Sequence, residues 1–266
     1  QLLEMVWVLE ETPPESNLRL TVRMSGITPR RLCQAVNARL EEGRQLRLET
    51  SRREQELKYT MACISHDIRT PLAGAMGYLQ LLEGEQAKRD EYLGVVKRRL
   101  EELNGLLEEL FLYTRLLNRS LPLECEVTAA LPPLWDALAE FYPQLEAAGI
   151  APELHYDRED LHVWANRSSL ERVYRNLIAN AIRHGGGTLA VSAQEGVLCF
   201  SNSLGSGPTP DPDHLFDRFY QSSPARGTGG AGLGLAIVRE LMEQMGGQVS
   251  ARLSGAVLEI KLEFKH

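Results

Sequence analysis

The chain has 266 residues, enough for about two domains of ordinary size. Apolar residues account for 43% of it and charged residues for 24%, which is typical of a folded globular protein. The formal net charge of -7 argues against nucleic acid or an anionic membrane surface as the main partner. The four cysteines form no CxxC pair, which fits a reducing compartment better than a disulfide framework.

The N-terminal region carries few structural signals. Two short apolar runs around a Thr-Pro-Pro turn in residues 1–27 predict a strand pair, and Thr28 and Pro29 predict the start of a helix. No run reaches the roughly 18–20 apolar residues that span a bilayer. Because the sequence begins with Gln1 instead of methionine, we expect a fragment that lacks its natural N-terminal region, including any membrane segments.

Two apolar stripes with helical spacing dominate the next part of the chain. The first consists of Leu57, Met61, Ile64, Ile68, Leu72, Ala75, Leu79 and Leu82. The second follows a polar turn at residues 83–91 and consists of Leu93, Val96, Leu100, Leu103, Leu107, Leu110, Thr114 and Leu117. Spacings of three and four residues predict an antiparallel helical hairpin, and a second copy would bury its apolar face in a four-helix bundle.

The pattern changes at residues 119–123. Strand-like runs at 124–127, 188–192, 197–200 and 257–264 then alternate with helical segments near 132–148, 168–184 and 233–245. A turn at Ser254-Gly255 predicts a hairpin at the end of the chain. The sequence therefore predicts an α+β protein in which a helical hairpin precedes an α/β sandwich.

Residues 64–74, ISHDIRTPLAG, place a histidine and a proline in the first predicted helix. His66 lies off the apolar stripe, so we expect it to face solvent or a partner, with Asp67 beside it and Thr70 one turn later. Pro71 removes one helical amide, so the helix either bends there or ends at Thr70. The stripe continues through the proline in the same phase, which favours a bend.

The run SHDIRTPL, followed by a leucine-rich hairpin, resembles the H-box of sensor histidine kinases. The resemblance implies that His66 is the phosphoacceptor, that Asp67 assists removal of its proton, and that Thr70 positions water for dephosphorylation of the partner. The chemistry is consistent, because neutral imidazole is a competent nucleophile near pH 7. A carboxylate on the next residue can orient the ring and stabilise its developing positive charge.

A second constellation lies in NLIANAIRHG, residues 176–185. Asn176 and Asn180 are one helical turn apart, so their amides share a face, and Arg183 is close in helical projection. The spacing alone suits a structural pair equally well. It resembles the N-box of the same kinases, which implies that Asn180 holds a Mg²⁺ ion bridging the nucleotide phosphates, with Asn176, Arg183 and His184 as nearby contacts.

Glycines precede the apolar helix near 233–245, at Gly229, Gly230, Gly232 and Gly234. They allow a backbone to approach closely, and helix N-terminal amides favour an anion. The P-loop lysine is missing, and a Rossmann unit would need a strand immediately before the glycines. The run resembles the G2-box, with Leu233 inside it. LFDRFY upstream resembles the F-box, whose aromatics Phe216 and Phe219 back a lid at 221–232, with Arg226 as a γ-phosphate contact.

One element departs from the family pattern. The G1-box aspartate accepts a hydrogen bond from the adenine amino group in the family, but Asn202 stands at its place in FSNSLGSGPTPD. Gly205 and Gly207 are then the G1 glycines, shifted by one residue. An asparagine oxygen still accepts that bond without the charge, which predicts weaker nucleotide binding or looser base selectivity.

The resemblance covers roughly residues 50–264 and implies a division of the chain into three parts. These are a membrane-proximal or signal-transmitting linker at 1–49, a dimerisation and histidine phosphotransfer domain at 50–120, and an ATP-binding domain at 121–266. The implied ligands are ATP and Mg²⁺, and the implied partners are a second copy and a response regulator receiver domain. The chain would be the cytoplasmic part of a cell-membrane protein, reaching the membrane only through its missing N-terminal region.

Two other functions fit parts of the same pattern. A pseudokinase or phosphatase-biased scaffold would keep the helical bundle while Asn202 impairs nucleotide binding, so that Thr70 chemistry dominates. A gyrase-like ATPase or a serine-phosphorylating relative would use the same ATP fold. The H-box on a dimerising hairpin argues against this second alternative, since those relatives need no such helix.

Overall fold

The computed structural model describes residues 27–82, 88–118, 123–194, 196–222 and 232–265. The predicted strand pair in residues 1–27 and most of the turn at 83–91 lie outside them. No helix among the described residues is long and apolar enough to cross a membrane. Contacts along the backbone divide the chain into two compact units between Ala62 and Cys63.

Where the structure describes the first half, it consists of two helices, α1 (Ile27–Leu82) and α2 (Arg89–Leu117). Helix α1 begins one residue before the predicted Thr28 and crosses the division between the units. It also continues through Pro71, so the alternative that it ends at Thr70 is wrong.

The two helices run antiparallel within the second unit, as predicted. The rings of Tyr78 and Tyr92 lie 5.7 Å apart between centroids. Four residues earlier on α1, Gly74 faces Arg99, whose Nε would lie 3.6 Å from a Cβ added at the glycine. The hairpin leaves much of its apolar surface uncovered: the exposed positions include Leu72, Met76, Leu79, Leu93, Leu100 and Leu107.

The described residues of the second half form an α/β domain with seven strands and four further helices. The strands are β1 (Glu126–Ala129), β2 (Pro152–Tyr156), β3 (His162–Ala165), β4 (Leu189–Gln194), β5 (Val197–Ser203), β6 (Gln248–Ser254) and β7 (Val257–Glu263). The helices are α3 (Leu131–Glu140), α4 (Tyr142–Ala147), α5 (Arg167–His184) and α6 (Gly234–Gln244). The α+β prediction is confirmed.

The main sheet has five strands in the order β2-β4-β5-β7-β6. Only β2 and β4 pair in parallel, and the other neighbours are antiparallel. Strands β1 and β3 form a separate antiparallel pair. The sequence did not predict β2 or β3, which are short and pair with strands distant in the chain.

One face of the main sheet carries the core. Side chains of β5 alternate between buried and partly exposed, so that Leu198, Phe200 and Asn202 all lie on the buried face. Helices α5 and α6 pack against each other, and Tyr174 of α5 is fully buried beside Phe200, with 5.8 Å between ring centroids. The burial of this apolar face is the main stabilising contribution to the domain.

Candidate functional site

The phosphoacceptor candidate lies on the surface of α1. The side chain of His66 is 72% exposed, and its Nδ1 lies 3.1 Å from Oδ1 of Asp67. Because a carboxylate oxygen only accepts, this contact directs the Nδ1 proton at Asp67 and leaves the lone pair on Nε2. In the neutral imidazole with this tautomer, Nε2 is the ring nitrogen that can act as a nucleophile.

The hydroxyl of Thr70 lies one helical turn from the histidine. Its Oγ1 donates to the carbonyl of His66 at 3.2 Å, so the oxygen keeps lone pairs that can accept from water. Pro71 follows directly and is buried in the helix, and it provides no amide for the carbonyl of Asp67. The H-box thus combines an exposed nitrogen, a carboxylate and a hydroxyl on consecutive turns of one helix.

Helix α5 begins with a side-chain cap. The Oδ1 of Asn166 accepts from the amide of Ser169 at 3.0 Å, which satisfies one of the free amides of the first turn. This cap fixes the start of the helix that carries Asn176 and Asn180. Both asparagines are half-buried and lie on one face, as the sequence predicts.

Asn176 joins α5 to the start of α6. Its Nδ2 donates to the carbonyl of Arg172 at 2.9 Å, and its Oδ1 would lie only 2.8 Å from a Cβ at Gly234. Gly234 is therefore required for close packing, because any side chain there would meet the amide. Through this contact the glycine-rich segment and the asparagine helix lie side by side.

The C-terminal end of α5 meets the end of β5. The amide of Gly186 donates to the carbonyl of Ser203 at 2.7 Å, and the amide of Gly205 donates to the carbonyl of His184 at 3.1 Å. A Cβ at Gly186 would lie 2.5 Å from the carbonyl oxygen of Leu204, so this approach excludes a side chain. These bonds bring Asn202 next to the end of the asparagine helix.

Asn202 is 6% exposed, and its Nδ2 donates to the carbonyl of Ser203 at 3.0 Å. A Cβ at Gly185 would lie 3.4 Å from the same nitrogen. The amide nitrogen is thus committed to the protein, and Oδ1 keeps its capacity to accept. Gly205 packs against the backbone at His184 and Gly185, whereas Gly207 has no neighbour within 4 Å of an added Cβ.

Residues 216–219 and 232–233 form a backbone junction. The amide of Phe219 donates to the carbonyl of Gly232 at 3.1 Å, and Phe219 adopts a φ of 58°. Gly232 has a φ of 65°, and a Cβ there would lie 2.8 Å from the carbonyl carbon of Phe219. Phe216, Phe219 and Leu233 are buried beneath the junction.

The predicted contacts Arg226, Gly229 and Gly230 lie outside the described residues. The junction of Phe219 with Gly232 nevertheless fixes where the segment that carries them leaves and rejoins the domain.

The charges at the end of α5 have distinct environments. Partial desolvation, and secondarily the charge of Arg183, lower the pKa of His184 below its ordinary value. Burial raises the pKa of Glu109 on α2, while Arg183 and Arg172 oppose the rise. Arg183 itself is exposed.

Two family descriptions match the regions that carry these features. Residues 57–119 match the His Kinase A (phospho-acceptor) domain, and residues 165–266 match the Histidine kinase-, DNA gyrase B-, and HSP90-like ATPase family. Together the matches span more than half of the chain. The chain belongs to the sensor histidine kinase family. The phosphoacceptor domain excludes the gyrase-like alternative for this histidine kinase.

Named relatives agree with the family. The sensor protein VanS of Enterococcus faecium is 31% identical over 79% of the kinase chain and 57% of its own length, so the kinase chain spans little more than half of that relative. The structure of full-length ShkA in complex with AMPPNP is 27% identical, with a TM-score of 0.55 over 76% of the kinase chain and 44% of that chain. The structure of ThkA in complex with the response regulator TrrA shares the fold at 20% sequence identity and a TM-score of 0.60. The match covers 83% of the present chain and 65% of that chain.

The structure of the kinase also shows residues that the sequence patterns did not single out. Gly185 and Gly186 allow the close approach of α5 to β5, and the run of three glycines after His184 was the available signal. Tyr113 and Leu116 of α2 are buried with the core of the α/β domain. With Leu106 they form a second stripe on α2, one residue out of phase with the predicted one.

Proposed function

We propose that the chain is an ATP-dependent protein-histidine kinase that phosphorylates its own His66. The observation that carries the proposal is the exposed imidazole whose Nδ1 contacts Asp67 at 3.1 Å, in a chain that also contains the ATPase-family domain. ShkA, a relative of known structure, was solved with an ATP analogue, which supports nucleotide binding here.

The contact of Nδ1 with Asp67 determines which ring nitrogen of His66 would attack the phosphate. Nε2 of His66 would attack the γ-phosphorus in line, so that a nitrogen–phosphorus bond forms while the bond to the β–γ bridging oxygen breaks and ADP leaves. The attacking nitrogen carries no proton in this tautomer, and the positive charge that develops on the ring faces the carboxylate of Asp67. The 72% exposure of the ring gives the phosphate donor access.

The nucleotide would lie between α5, the end of β5 and the start of α6. The base would contact Oδ1 of Asn202, whose amide nitrogen is already bonded to the protein, with Gly205 and Gly207 beside it. The phosphates would lie near Arg183, His184 and the N-terminus of α6, where Gly234 leaves room for Asn176. The phosphate end of the site would rest on the buried side chains of Phe216, Phe219 and Leu233. The lid segment would contribute Arg226, Gly229, Gly230 and Gly232.

Asn180 fits the role of a magnesium ligand. Its amide oxygen is of the hard type that Mg²⁺ prefers, and it lies half-buried on the helix face shared with Asn176. Mg²⁺ commonly has one or two protein ligands and takes the rest from phosphates and water. When bound, the ion would offset the charge of the phosphate oxygens. Asn180 would then fix the orientation of the phosphate chain.

The proposed partners follow from the surfaces of the hairpin. The exposed apolar positions of α1 and α2 fit a second copy of the chain, which would complete a four-helix bundle. A response regulator would take the phosphoryl group onto an aspartate, as the solved complex of ThkA with TrrA suggests. Thr70, with its oxygen free to accept from water, would assist dephosphorylation of the regulator.

We propose a division of the chain into three parts with the bounds that the sequence predicts. Residues 1–49 would transmit a signal from a membrane region that precedes them, 50–120 would dimerise and carry the phosphoryl group, and 121–266 would bind ATP. The kinase would therefore act on the cytoplasmic side of a membrane protein.

The decisive experiment is incubation of the chain with γ-labelled Mg·ATP. We expect acid-labile, alkali-stable label in the wild type and none in His66→Gln or Asn180→Ala. His155→Gln is the matched control, because His155 is also exposed and lies 3.6 Å from the carboxylate of Glu153. This variant should be labelled like the wild type.

A second candidate function rests on Asn202. If a folded wild type takes up no label and calorimetry detects no nucleotide binding, the kinase proposal fails. The phosphatase-biased or pseudokinase scaffold would then be favoured. That alternative predicts that the chain still dephosphorylates a phosphorylated response regulator and that Thr70→Ala abolishes this activity.

A further inference from the structure

The last turns of α2 are anchored in the ATP-binding domain. Tyr113 is 5% exposed and Leu116 is fully buried, and both belong to the core of that domain. The Nε2 of Gln244, at the end of α6, donates to the carbonyl of Leu116 at 2.8 Å and also to Glu240 at 2.8 Å. The carbonyls of a last helical turn lack an amide four residues ahead, so Gln244 supplies a missing donor.

A second contact joins α2 to the F-box segment, between Tyr113 and Arg218. The guanidinium of Arg218 lies 5.4 Å from the centroid of the Tyr113 ring, within the range of a cation–π interaction. Burial raises the pKa of Tyr113, and Arg218 opposes the rise through its charge and a hydrogen bond. Arg218 directly precedes Phe219, so this contact begins next to the backbone junction with Gly232.

Two interactions join α6 to the end of α2. Gln244 donates to the carbonyl of Leu116, and the charge of Glu240, one turn earlier on α6, contributes to the raised pKa of Tyr113. Gly234 starts α6 ten residues before Gln244, which corresponds to about 15 Å along the axis of α6. At the end of α5, the charge of Arg183 opposes the rise in the pKa of Glu109 on α2.

The pairing of α1 with α2 gives the position of His66 along α2. Tyr78 faces Tyr92 and Gly74 faces Arg99, so counting back along α1 puts His66 opposite the turn of α2 that lies about ten residues before Leu116. Ten helical residues correspond to about 15 Å. The distance from Leu116 to the level of His66 therefore equals the length of α6 between Gln244 and its phosphate-side end.

We infer that Arg218 and Gln244 are positioning residues that hold the ATP-binding domain on α2 with its phosphate end at the level of the phosphoacceptor. The four side chains Tyr113, Leu116, Arg218 and Gln244 form what we term the α2 clasp. The clasp touches neither base nor phosphate. It acts by raising the local concentration of the γ-phosphate near His66, in the same chain or in its dimer partner.

This inference rests on the proposed kinase function, and its test separates binding from transfer. We expect Arg218→Ala and Tyr113→Leu to slow the labelling of His66 by about tenfold at saturating Mg·ATP. Calorimetric affinity for a non-hydrolysable ATP analogue should stay at the wild-type value. Tyr113→Phe keeps the ring beside the guanidinium and loses only the hydrogen bond to Arg218, so it should label faster than Tyr113→Leu.

The double variant Arg218→Ala/Tyr113→Leu should be no slower than either single variant, because both changes remove one contact. Gln244→Leu probes the other half of the clasp and should also slow labelling without changing affinity. Amide hydrogen exchange of residues 109–117 provides a readout independent of phosphorylation, and it should accelerate in Arg218→Ala and in Gln244→Leu but not in Tyr113→Phe.

Three results with the variants would overturn the inference while leaving the proposed function standing. Labelling that is unchanged or faster in Arg218→Ala would show that the clasp is dispensable or holds a resting arrangement. A parallel loss of nucleotide affinity would assign Arg218 to the binding site instead. Unchanged hydrogen exchange in α2 would show that the contact does not dock the domain. An unlabelled wild type with normal protection of residues 109–117 would instead overturn the proposed function, and the positioning role with it.

Discussion

Gly232 and Phe219 meet through their backbones, with the amide of Phe219 donating to the carbonyl of Gly232 at 3.1 Å. Both residues have a positive φ, 58° for the phenylalanine and 65° for the glycine. The phenylalanine adopts this conformation at a cost, which the burial of its ring offsets. The junction holds the two ends of the proposed lid segment together, whatever the lid itself does.

Gly232→Ala should disrupt this junction. The added Cβ would lie 2.8 Å from the carbonyl carbon of Phe219, and a side chain at φ 65° adds strain of about 1–2 kcal/mol. We expect a loss of about 2 kcal/mol in the free energy of unfolding of the domain and at least a tenfold weaker affinity for ATP. Urea unfolding and calorimetry would measure the two effects.

Gly207→Ala is the matched control for this substitution. Gly207 has no atom within 4 Å of an added Cβ, and its φ lies outside the left-handed region. The free energy of unfolding of Gly207→Ala should stay within about 0.5 kcal/mol of the wild-type value. Equal losses in the two glycine variants would contradict the role assigned to the junction.

Asn202→Asp installs the aspartate that the resemblance to the G1-box implies at this position. The carboxylate cannot donate to the carbonyl of Ser203, so it would replace an attractive contact at 3.0 Å with repulsion between two acceptors. We expect the nucleotide-free domain to lose about 1–3 kcal/mol of stability. A charged acceptor binds the adenine amino group more strongly, so ATP should raise the melting temperature more than it does in the wild type.

Thermal unfolding with and without ATP tests this substitution, and Asn202→Leu separates the two effects. The leucine variant removes the acceptor, so we expect its nucleotide affinity to fall about tenfold. Wild-type affinity in Asn202→Leu would remove Asn202 from the base site. Comparing the affinities of the wild type for GTP and ATP would show whether Asn202 also accepts guanine in place of adenine.

Tyr174 connects the asparagine helix to the β1–α3 connection. Its ring is fully buried, and its hydroxyl donates to the carbonyl of Ala130 at 3.2 Å. Tyr174→Phe keeps the packing against Phe200 but leaves that carbonyl without this donor, so we expect a loss of about 1–2 kcal/mol in the free energy of unfolding. Tyr142→Phe, at a residue that is 61% exposed, should change stability by less than about 0.5 kcal/mol. A similar loss in both variants would argue against the bond.

The hairpin and the H-box were predictable because their signals are local. Helical spacing of apolar residues indicates which face packs, and the position of His66 off that stripe is enough to place it on the surface. The same reasoning identified β4, β5 and β7, whose residues alternate. It did not identify β2, because five residues that pair in parallel with β4 depend on a partner more than thirty residues away.

The sequence was less informative about contacts between elements. The spacing of Asn176 and Asn180 predicted a shared helix face, but the proximity of Asn176 to Gly234 depends on how α5 and α6 pack. The positive φ of Phe219 is a response to the backbone of Gly232 and has no signal in LFDRFY itself. Tyr113 belongs to the buried core but lies outside the predicted apolar stripe of α2. That stripe was sufficient to predict the helix, so nothing in the sequence pattern assigned Tyr113 a packing role.

Glu109 links the stability of the α2 contact to pH. Burial raises the pKa of Glu109 above its ordinary value of 4.5, and the charges of Arg183 and Arg172 only partly oppose this rise. A carboxyl whose pKa is higher in the folded state favours folding when protonated and opposes it when ionised. The wild type is therefore penalised at pH 7. The penalty shrinks as the pH falls through the raised pKa and is absent below the ordinary value of 4.5.

Glu109→Gln should remove that penalty, since the amide is neutral at every pH. We expect a higher melting temperature than the wild type at pH 7 and no difference at about pH 4, where the wild-type carboxyl is protonated. Glu101→Gln on the same helix is the control, because Glu101 is exposed and only 3.8 Å from Lys97 in a solvated ion pair. Differential scanning calorimetry across this pH range measures both variants. A melting temperature of Glu109→Gln below that of the wild type at pH 7 would mean that attraction to Arg183 and Arg172 outweighs burial, and the α2 contact would then be held by an ion pair.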